Sequence, residues 1–298
     1  TCRAVLQRRK AARRVSGPYH ADAPIVCREY GQELWLDTID YQHPTAPVGQ
    51  FRYDLAGWDA GSGWLNLMPI RSKKVEHVKE TLRNYRRHSE KLSRVISDRA
   101  NKLVKAAKSE GADALPLVPH RPKGNRLERE IETIGDRLRA AMIHAGVTPR
   151  LRPYASRYCS DMFNLFKQVA REVGTGDDKK LEYASPYVHR FGCDPPWDAD
   201  DVPIFGQTLT VVMPKVDQDN SRRTKSRGTP VIFLSIHSDH CCYDKSIIIC
   251  DLESLISEGK VRLRRTRDWR RPPGPPRFAL AKLAEIRCAP QSASTLHD

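Results

Sequence analysis

The sequence predicts an α+β protein: an antiparallel, coiled-coil-like hairpin of long helices follows a short N-terminal β-hairpin region and precedes a mixed α/β C-terminal domain. Three observations predict this fold class. A seven-residue apolar repeat spans residues 72–110. A second amphipathic segment follows at residues 126–145. Short runs rich in β-branched residues fill the last third of the chain, as in strands covered on both faces.

The chain has 298 residues, enough for one large domain or two small ones. We expect four segments: a basic arm at 1–18, a small β region at 19–70, the helical hairpin with a third helix at 71–174, and the C-terminal domain at 185–290. With 39% hydrophobic and 29% charged residues, the composition excludes a collagen-like or wholly disordered chain. No apolar run approaches the roughly 18–20 residues of a membrane-spanning helix.

A β-hairpin is predicted near the N-terminus. Ile25–Tyr30 and Glu33–Ile39 flank a short turn at Gly31 and Gln32, and the second arm alternates apolar with polar residues. Further short strands are expected between residues 50 and 70, where a similar alternation leads into a glycine-rich turn.

The long helix is predicted by two interleaved seven-residue series, which together give the three-four spacing of a coiled-coil seam. Ser72 is its expected N-cap and Gly111 lies where it would stop. Such a helix would be roughly 57 Å long at 1.5 Å per residue. The two series are Val75, Leu82, Ser89, Ile96 and Leu103, and Val78, Tyr85, Leu92, Arg99 and Ala106.

The next helix is predicted at residues 126–145, with apolar residues spaced by three and four and Gly146 at its end. A proline-rich link at 111–124 would turn the chain back, so the two helices pack antiparallel; the alternative is that the long helix pairs with another copy of itself. A third helix is expected at 154–173. In the C-terminal domain we expect strands at 208–213, 230–236, 246–250 and 261–264 and helices at 252–258 and 278–286.

The charge of the chain indicates its class of partner. Lys and Arg number 51 against 36 Asp and Glu, a formal net charge of +15. This favours nucleic acid over an anionic membrane surface, because no basic amphipathic helix with apolar residues opposite the charge and no lipidation signal is present. We expect nucleic acid and other protein subunits as partners, and no membrane. The alternative is that the charge only keeps the protein soluble.

The candidate nucleic-acid-binding residues lie in four basic segments: the N-terminal arm, the predicted long helix, a loop at 221–228 and an arginine-rich stretch around a tryptophan. Between residues 71 and 108, 13 Lys or Arg stand against 4 acids, which is more one-sided than an ordinary solvated helix face. The candidates are Arg8, Arg9, Arg13, Arg14, Lys79, Arg83, Arg86, Arg87, Arg94, Arg222, Arg223, Lys225, Arg264, Arg265, Arg267, Trp269, Arg270 and Arg271.

The chain has 8 cysteines scattered along its length, which indicates reduced thiols and an intracellular protein, in the cytoplasm or associated with the nucleoid, although the basic arm also resembles an organelle-targeting segment. The densest group of soft ligands comprises His237, His240, Cys241 and Cys250, which could supply four ligands to zinc. The spacing matches no standard zinc finger, and buried reduced cysteines are the alternative. No other cofactor is favoured.

Acidic residues at strand ends predict a second kind of site. Asp239, Asp251 and Glu253 follow predicted C-terminal strands and could hold Mg²⁺ beside a phosphodiester bond, with Lys260 stabilising charge. The alternative is that these acids start turns and cap helices; Asp251 lies where an N-cap belongs.

Three functions remain open at this point. The first is a non-enzymatic subunit of a nucleoprotein complex that holds the phosphate backbone with little sequence readout. The second is a magnesium-dependent nuclease, and the third is a scaffold that assembles through its long helix. The motifs of P-loop ATPases, dinucleotide-dependent oxidoreductases and serine hydrolases are absent from the sequence. The sequence does not distinguish DNA from RNA.

Overall fold

The computed structural model describes residues 29–41, 48–85, 92–97, 101–116, 126–173, 180–212, 228–239 and 242–288. The described strands are β1 (Glu33–Asp40), β2 (Tyr53–Asp59), β3 (Leu65–Ile70), β4 (Arg94–Ser97), β5 (Asp113–Pro116), β6 (Val169–Val173), β7 (Lys180–Ala184), β8 (Thr208–Val212), β9 (Gly228–Asp239), β10 (Cys242–Asp251), β11 (Leu263–Thr266) and β12 (Trp269–Arg270). The described α-helices are α1 (Val75–Tyr85), α2 (Asn101–Ser109), α3 (Arg126–Ala145), α4 (Arg152–Phe166), α5 (Pro186–Phe191), α6 (Leu252–Ser257) and α7 (Ala279–Cys288). No described helix is apolar over a length that could cross a bilayer.

Five strands form the first sheet, in the order β3-β2-β1-β4-β5. The first three strands are antiparallel neighbours, whereas β4 pairs parallel with β1 and β5 pairs parallel with β4. A parallel pair needs a crossover connection, and α2 supplies it between β4 and β5. The central strand β1 is therefore paired on both sides, antiparallel on one side and parallel on the other.

The predicted long-helix hairpin is wrong. The elements described between residues 72 and 110 are α1, β4 and α2, and the longest described helix, α3, has 20 residues. Val95 and Ile96 are β-branched, and they pair with β1 instead of continuing a helix. The seven-residue repeat arises because the buried side chains of α1 and α2 face the same hydrophobic cluster from separate elements. A repeat of this kind does not reveal the strand that interrupts it.

Other elements match their predicted positions more closely. Helix α3 has the predicted bounds of 126–145. Helix α4 ends at Phe166 rather than at residue 173, because residues 169–173 pair with β7 as strand β6. Most of the first arm of the predicted N-terminal hairpin lies outside the described residues, and the second arm, β1, pairs with β2 and β4.

The second sheet has the order β11-β10-β9-β8-β12 and its described pairs are all antiparallel. Four of its strands, β8 to β11, lie close to the predicted C-terminal strands, whereas β12 is an edge strand that was not predicted. The part of the chain predicted as a mixed α/β C-terminal domain contains this antiparallel sheet together with short helices. Antiparallel neighbours can be joined by short connections, so this sheet needs no crossover helices. The short helix α6 directly follows β10 in the chain, and α4 packs on β9.

The core consists of two hydrophobic clusters on opposite faces of the first sheet. Leu34 and Leu36 of β1 lie in the cluster that includes α1 and α2. Trp35 and Ile39 pack on the other cluster, which includes Leu127 of α3. This alternation follows from the two-residue period of a strand. Both clusters also contain side chains of the second sheet, and α4 packs on both β3 and β9.

Side chains of α4 bind the outer edge of β3. The Asn164 amide accepts a hydrogen bond from the Leu65 N–H at 2.8 Å and donates one to the Leu65 carbonyl at 2.6 Å. The Ser160 hydroxyl accepts one from the Leu67 N–H at 2.9 Å. These bonds satisfy main-chain groups that an edge strand would otherwise leave unpaired in the core.

Two buried carboxyl groups connect α4 to its surroundings. Asp54 of β2 accepts hydrogen bonds from the Tyr41 hydroxyl at 2.6 Å and the Ser156 hydroxyl at 2.7 Å. Asp161 of α4 accepts one from the Tyr243 hydroxyl at 2.9 Å. Burial raises the pKa of Asp54 to about 6 and that of Asp161 to about 7.

Replacing Asp161 with Asn is expected to stabilise the protein at pH 8 but not at pH 4. The folded-state pKa of about 7 lies above the ordinary 3.8, so the folded state loses stability as the pH rises between these values. The difference between these two pKa values corresponds to a loss of at most about 4 kcal/mol in the free energy of unfolding. The Asn side chain stays neutral and its oxygen still accepts from Tyr243. Thermal melts of both proteins from pH 4 to pH 8 measure the effect.

The matched control is Asp54→Asn. Asp54 accepts from two hydroxyl groups, and an amide oxygen replaces only one of the two carboxylate oxygens, so this variant should melt earlier than the wild type at pH 4. If the melting temperature of Asp161→Asn depends on pH as strongly as that of the wild type, the assigned burial of the Asp161 carboxyl is contradicted.

Candidate functional site

Asp37 lies on β1, the central strand of the first sheet. Trp35 and Ile39, two residues to either side, pack on the cluster that contains α3, so Asp37 belongs to the same face of the sheet. The side chain is half-buried, and its Oδ1 accepts a hydrogen bond from the Thr38 N–H at 2.6 Å. A carboxylate is thus held on a rigid strand, on the face that α3 covers.

The parallel partner of β1 ends beside this carboxylate. The register pairs Leu36 with Ser97, the last residue of β4, so Asp37 lies one position beyond that pair. The carboxyl ends of parallel strands meet at one edge of a sheet, where ligands commonly bind in α/β folds. Asp98 directly follows Ser97 in the sequence and lies outside the described residues.

Helix α3, which packs on this face, carries a second described carboxylate near its start. Its first turn contains Glu128, which is exposed and follows Leu127, a buried residue of the cluster on which the neighbours of Asp37 pack. Two residues further on, Glu130 binds the Lys167 ammonium group, with its Oε2 2.8 Å from Nζ. The first turn of α3 therefore presents Glu128 at the border between the covered face and solvent.

Carboxylate oxygens are the ligands that Mg²⁺ and Mn²⁺ prefer, so this donor set suits a hard divalent cation. Within the described ranges, no group of three or more His, Cys, Asp or Glu side chains lies close enough together to hold a metal ion. Asp37 lies on the face of β1 that α3 covers, and Glu128 lies in the first turn of α3.

Asp37, Asp98 and Glu128 are not among the candidate site residues that the sequence predicts. A usable signal was present, because the β-branched pair Val95 and Ile96 is followed almost at once by an acid, as expected for a buried strand that ends at a site.

The described basic candidates of the predicted long helix are paired with acids. Glu110, a buried residue, lies 3.6 Å from the Lys79 ammonium group and 3.0 Å from the Arg83 Nε. Arg94 lies 3.5 Å from Glu33 on β1. These three cations are interleaved with carboxylates rather than gathered on one helix face. The candidates outside the described residues are Arg8, Arg9, Arg13, Arg14, Arg86, Arg87, Arg222, Arg223 and Lys225.

The C-terminal candidates lie close together at the second sheet. Arg265 and Arg267 both donate to the carboxylate of Asp244 on β10. The hydrogen bond from the Ser246 hydroxyl and those from the two arginines hold the pKa of Asp244 well below its usual range. The remaining candidates of this stretch, all at or beyond β11, are Arg264, Trp269, Arg270 and Arg271.

Two of the four predicted zinc ligands are far apart. Cys250 pairs with Ile232 on β9, and His237 lies five residues further along that strand, a separation of about 17 Å at the usual rise per residue. Zinc ligands lie about 2.0–2.3 Å from the metal, so these two side chains do not share one ion. His240 and Cys241 lie outside the described residues.

The acids predicted at C-terminal strand ends occupy separate positions. Asp251 caps α6, and its carboxylate accepts a hydrogen bond from the Ser254 N–H at 2.7 Å. Glu253 is exposed in the first turn of α6, and Lys260 binds Glu258 at 3.0 Å. Asp239 is the last residue of β9. Their catalytic roles stay a prediction.

Comparisons with known proteins give distant structural similarity only. No family model and no curated protein matches the sequence. A chain of the simian T-cell lymphotropic virus intasome in complex with PP2A regulatory subunit B56 gamma matches with a TM-score of 0.38 and 11% identity, over 82% of this chain and 83% of that one. The catalytic core domain of BIV integrase matches with a TM-score of 0.35 and 17% identity, over 53% of this chain and 91% of that one.

The HTLV-2 integrase catalytic core domain in complex with magnesium matches with a TM-score of 0.36 and 11% identity, over 48% of this chain and 89% of that one. The chain is thus distantly similar in structure to retroviral integrases, at TM-scores too low to assign a shared fold or function.

Proposed function

We propose that this chain is a divalent-metal-dependent enzyme that cleaves or transfers polynucleotide strands at phosphodiester bonds. The parallel register of β1 and β4 carries the proposal. Asp37 lies one position beyond the pair of Leu36 with Ser97, and Ser97 directly precedes Asp98 in the sequence. Glu128 in the first turn of α3 and Asp98, which lies outside the described residues, would complete a set of three carboxylates. The chemistry of this donor set fits Mg²⁺ or Mn²⁺.

Each element has a distinct part in this proposal. Strand β1 is paired on both sides, which fixes Asp37 in position without a conformational change. Helix α3 is anchored by buried Leu127, which fixes the first turn that carries Glu128. A bound divalent cation would polarise a phosphoryl oxygen and favour ionisation of water. The net charge of +15 supports a polyanionic substrate.

This proposal replaces the scaffold hypothesis, which depended on the long helix that the structure lacks. The non-catalytic nucleic-acid-binding hypothesis makes the opposite prediction, namely that the chain binds polynucleotides and leaves every strand intact. The two proposals therefore differ in one measurable property, the metal-dependent change in strand length.

Glu128→Gln is expected to reduce metal-dependent strand cleavage by at least about hundredfold, since loss of a metal ligand removes several kcal/mol of transition-state stabilisation. The assay incubates the full chain with end-labelled DNA duplexes in Mg²⁺ or Mn²⁺, and in EDTA, and resolves the strands on denaturing gels. Asp98→Asn should have the same effect.

The matched control is Glu132→Gln, the same chemical change one helical turn later on α3. It should retain cleavage near the wild-type level and, purified in the same way, it also controls for contaminating nucleases. Intact strands with the wild-type chain in both metals, together with retained DNA binding, would overturn the proposed activity and favour the non-catalytic alternative.

A further inference from the structure

A basic cavity lined by two tryptophans lies at the second sheet. Its volume is about 380 Å³, within the roughly 300–1,000 Å³ range of small-molecule sites. The lining residues lie on β10, around β12 and in the segment before β8. They are Trp197, Asp201, Lys245, Arg267, Trp269 and Arg271.

The two indole rings give the cavity an aromatic wall. Their centroids are 6.4 Å apart and their planes are inclined by 22°. Trp197 is buried, whereas Trp269 is half-buried and keeps part of its ring accessible. An accessible indole face beside cations suits stacking by a planar, electron-poor ring such as a nucleobase.

The charged lining favours an anion. Three cations stand against one carboxylate among the lining side chains, Asp201. Arg267 is oriented by Asp244, with its Nη2 2.7 Å from Oδ2, and Arg271 is held at the rim by donation to the Asp200 carbonyl at 2.6 Å. Guanidinium groups fixed in this way are preorganised to bind phosphate.

We propose that this cavity binds a nucleobase together with its adjacent phosphate, the base stacking on Trp269 and the phosphate contacting Arg271 and Lys245. A base paired inside a duplex cannot offer its ring face, so the site takes an unpaired nucleotide of a strand or a free nucleotide. The proposal goes beyond the carboxylate site on β1, and binding here requires no divalent cation.

Fluorescence anisotropy of labelled single-stranded oligothymidylate, measured in EDTA, tests the cavity without any strand cleavage. Trp269→Ala should weaken binding roughly tenfold or more, as for other stacked bases. For an abasic strand of equal length, Trp269→Ala should have the same affinity as the wild type. Arg271→Ala should weaken binding to both strands and lower the slope of log affinity against log salt by about one.

Arg270→Ala is the matched control. It removes the same charge from the neighbouring residue, which points to the other face of β12 and does not line the cavity, so it should weaken binding far less than Arg271→Ala. Circular dichroism melts identify any variant that fails to fold. Because Arg271 is exposed, Arg271→Ala keeps the test decisive even if Trp269→Ala unfolds.

Competition with thymidine monophosphate distinguishes the two sources of the ligand: effective competition assigns the cavity to free nucleotides, and weak competition assigns it to a strand. Two results would overturn the proposal. One is equal affinity of the wild type for the normal and abasic strands. The other is an equal effect of Arg270→Ala and Arg271→Ala.

Discussion

Asp37→Asn is expected to abolish metal-dependent strand cleavage, with a loss of at least about two to three orders of magnitude in rate. The substitution keeps the size of the side chain and an acceptor for the Thr38 N–H, so β1 should retain its pairing. It removes the negative charge that a divalent cation requires at this position. Single-turnover cleavage of end-labelled DNA in Mn²⁺ measures the rate.

Asp40→Asn is the appropriate control for this experiment. Asp40 lies three residues further along β1, is exposed, and belongs by alternation to the opposite face of the strand. The same loss of charge there should leave the rate within a few-fold of the wild type. If both variants lose activity equally, or if Asp37→Asn cleaves as fast as the wild type, Asp37 does not hold the metal.

Asn164→Leu is expected to have the largest effect on stability, about 2–5 kcal/mol. The side chain is buried and makes two hydrogen bonds to the main chain of Leu65 at the edge of β3. Leucine fills a similar volume but leaves one N–H and one carbonyl of the strand without partners in the core, and each costs about 1–3 kcal/mol. Urea unfolding at neutral pH gives the change in free energy.

Ser160→Ala serves as the graded comparison, because it removes a single hydrogen bond to the Leu67 N–H of the same strand. Ser160→Ala should lower the free energy of unfolding by about half as much as Asn164→Leu. If Asn164→Leu lowers the free energy of unfolding no more than Ser160→Ala does, solvent replaces the missing hydrogen bonds and α4 does not protect the edge of β3.

The sequence predicted elements where a local pattern determines the structure. Helix α3 has its apolar spacing, its start and its terminal Gly146 within one short stretch, and its bounds were predicted correctly. The strands β8, β9 and β10 were likewise visible as β-branched runs between turn residues.

The prediction was wrong where the structure depends on distant partners. Val95 and Ile96 fit a helical repeat as well as a strand, and only their pairing with β1, some sixty residues earlier, makes them β4. The same pairing places Asp37 at the end of β4. The proposed site depends on this parallel register and therefore has no recognisable spacing in the sequence.

The position of α4 limits how the molecule can move. Asn164 binds this helix to β3 of the first sheet, and Asp161 binds it to Tyr243 of the second. Sliding of one sheet past the other would break buried polar contacts on one side of α4, and close-packed cores resist such shear. We therefore expect the two sheets to move together as one unit.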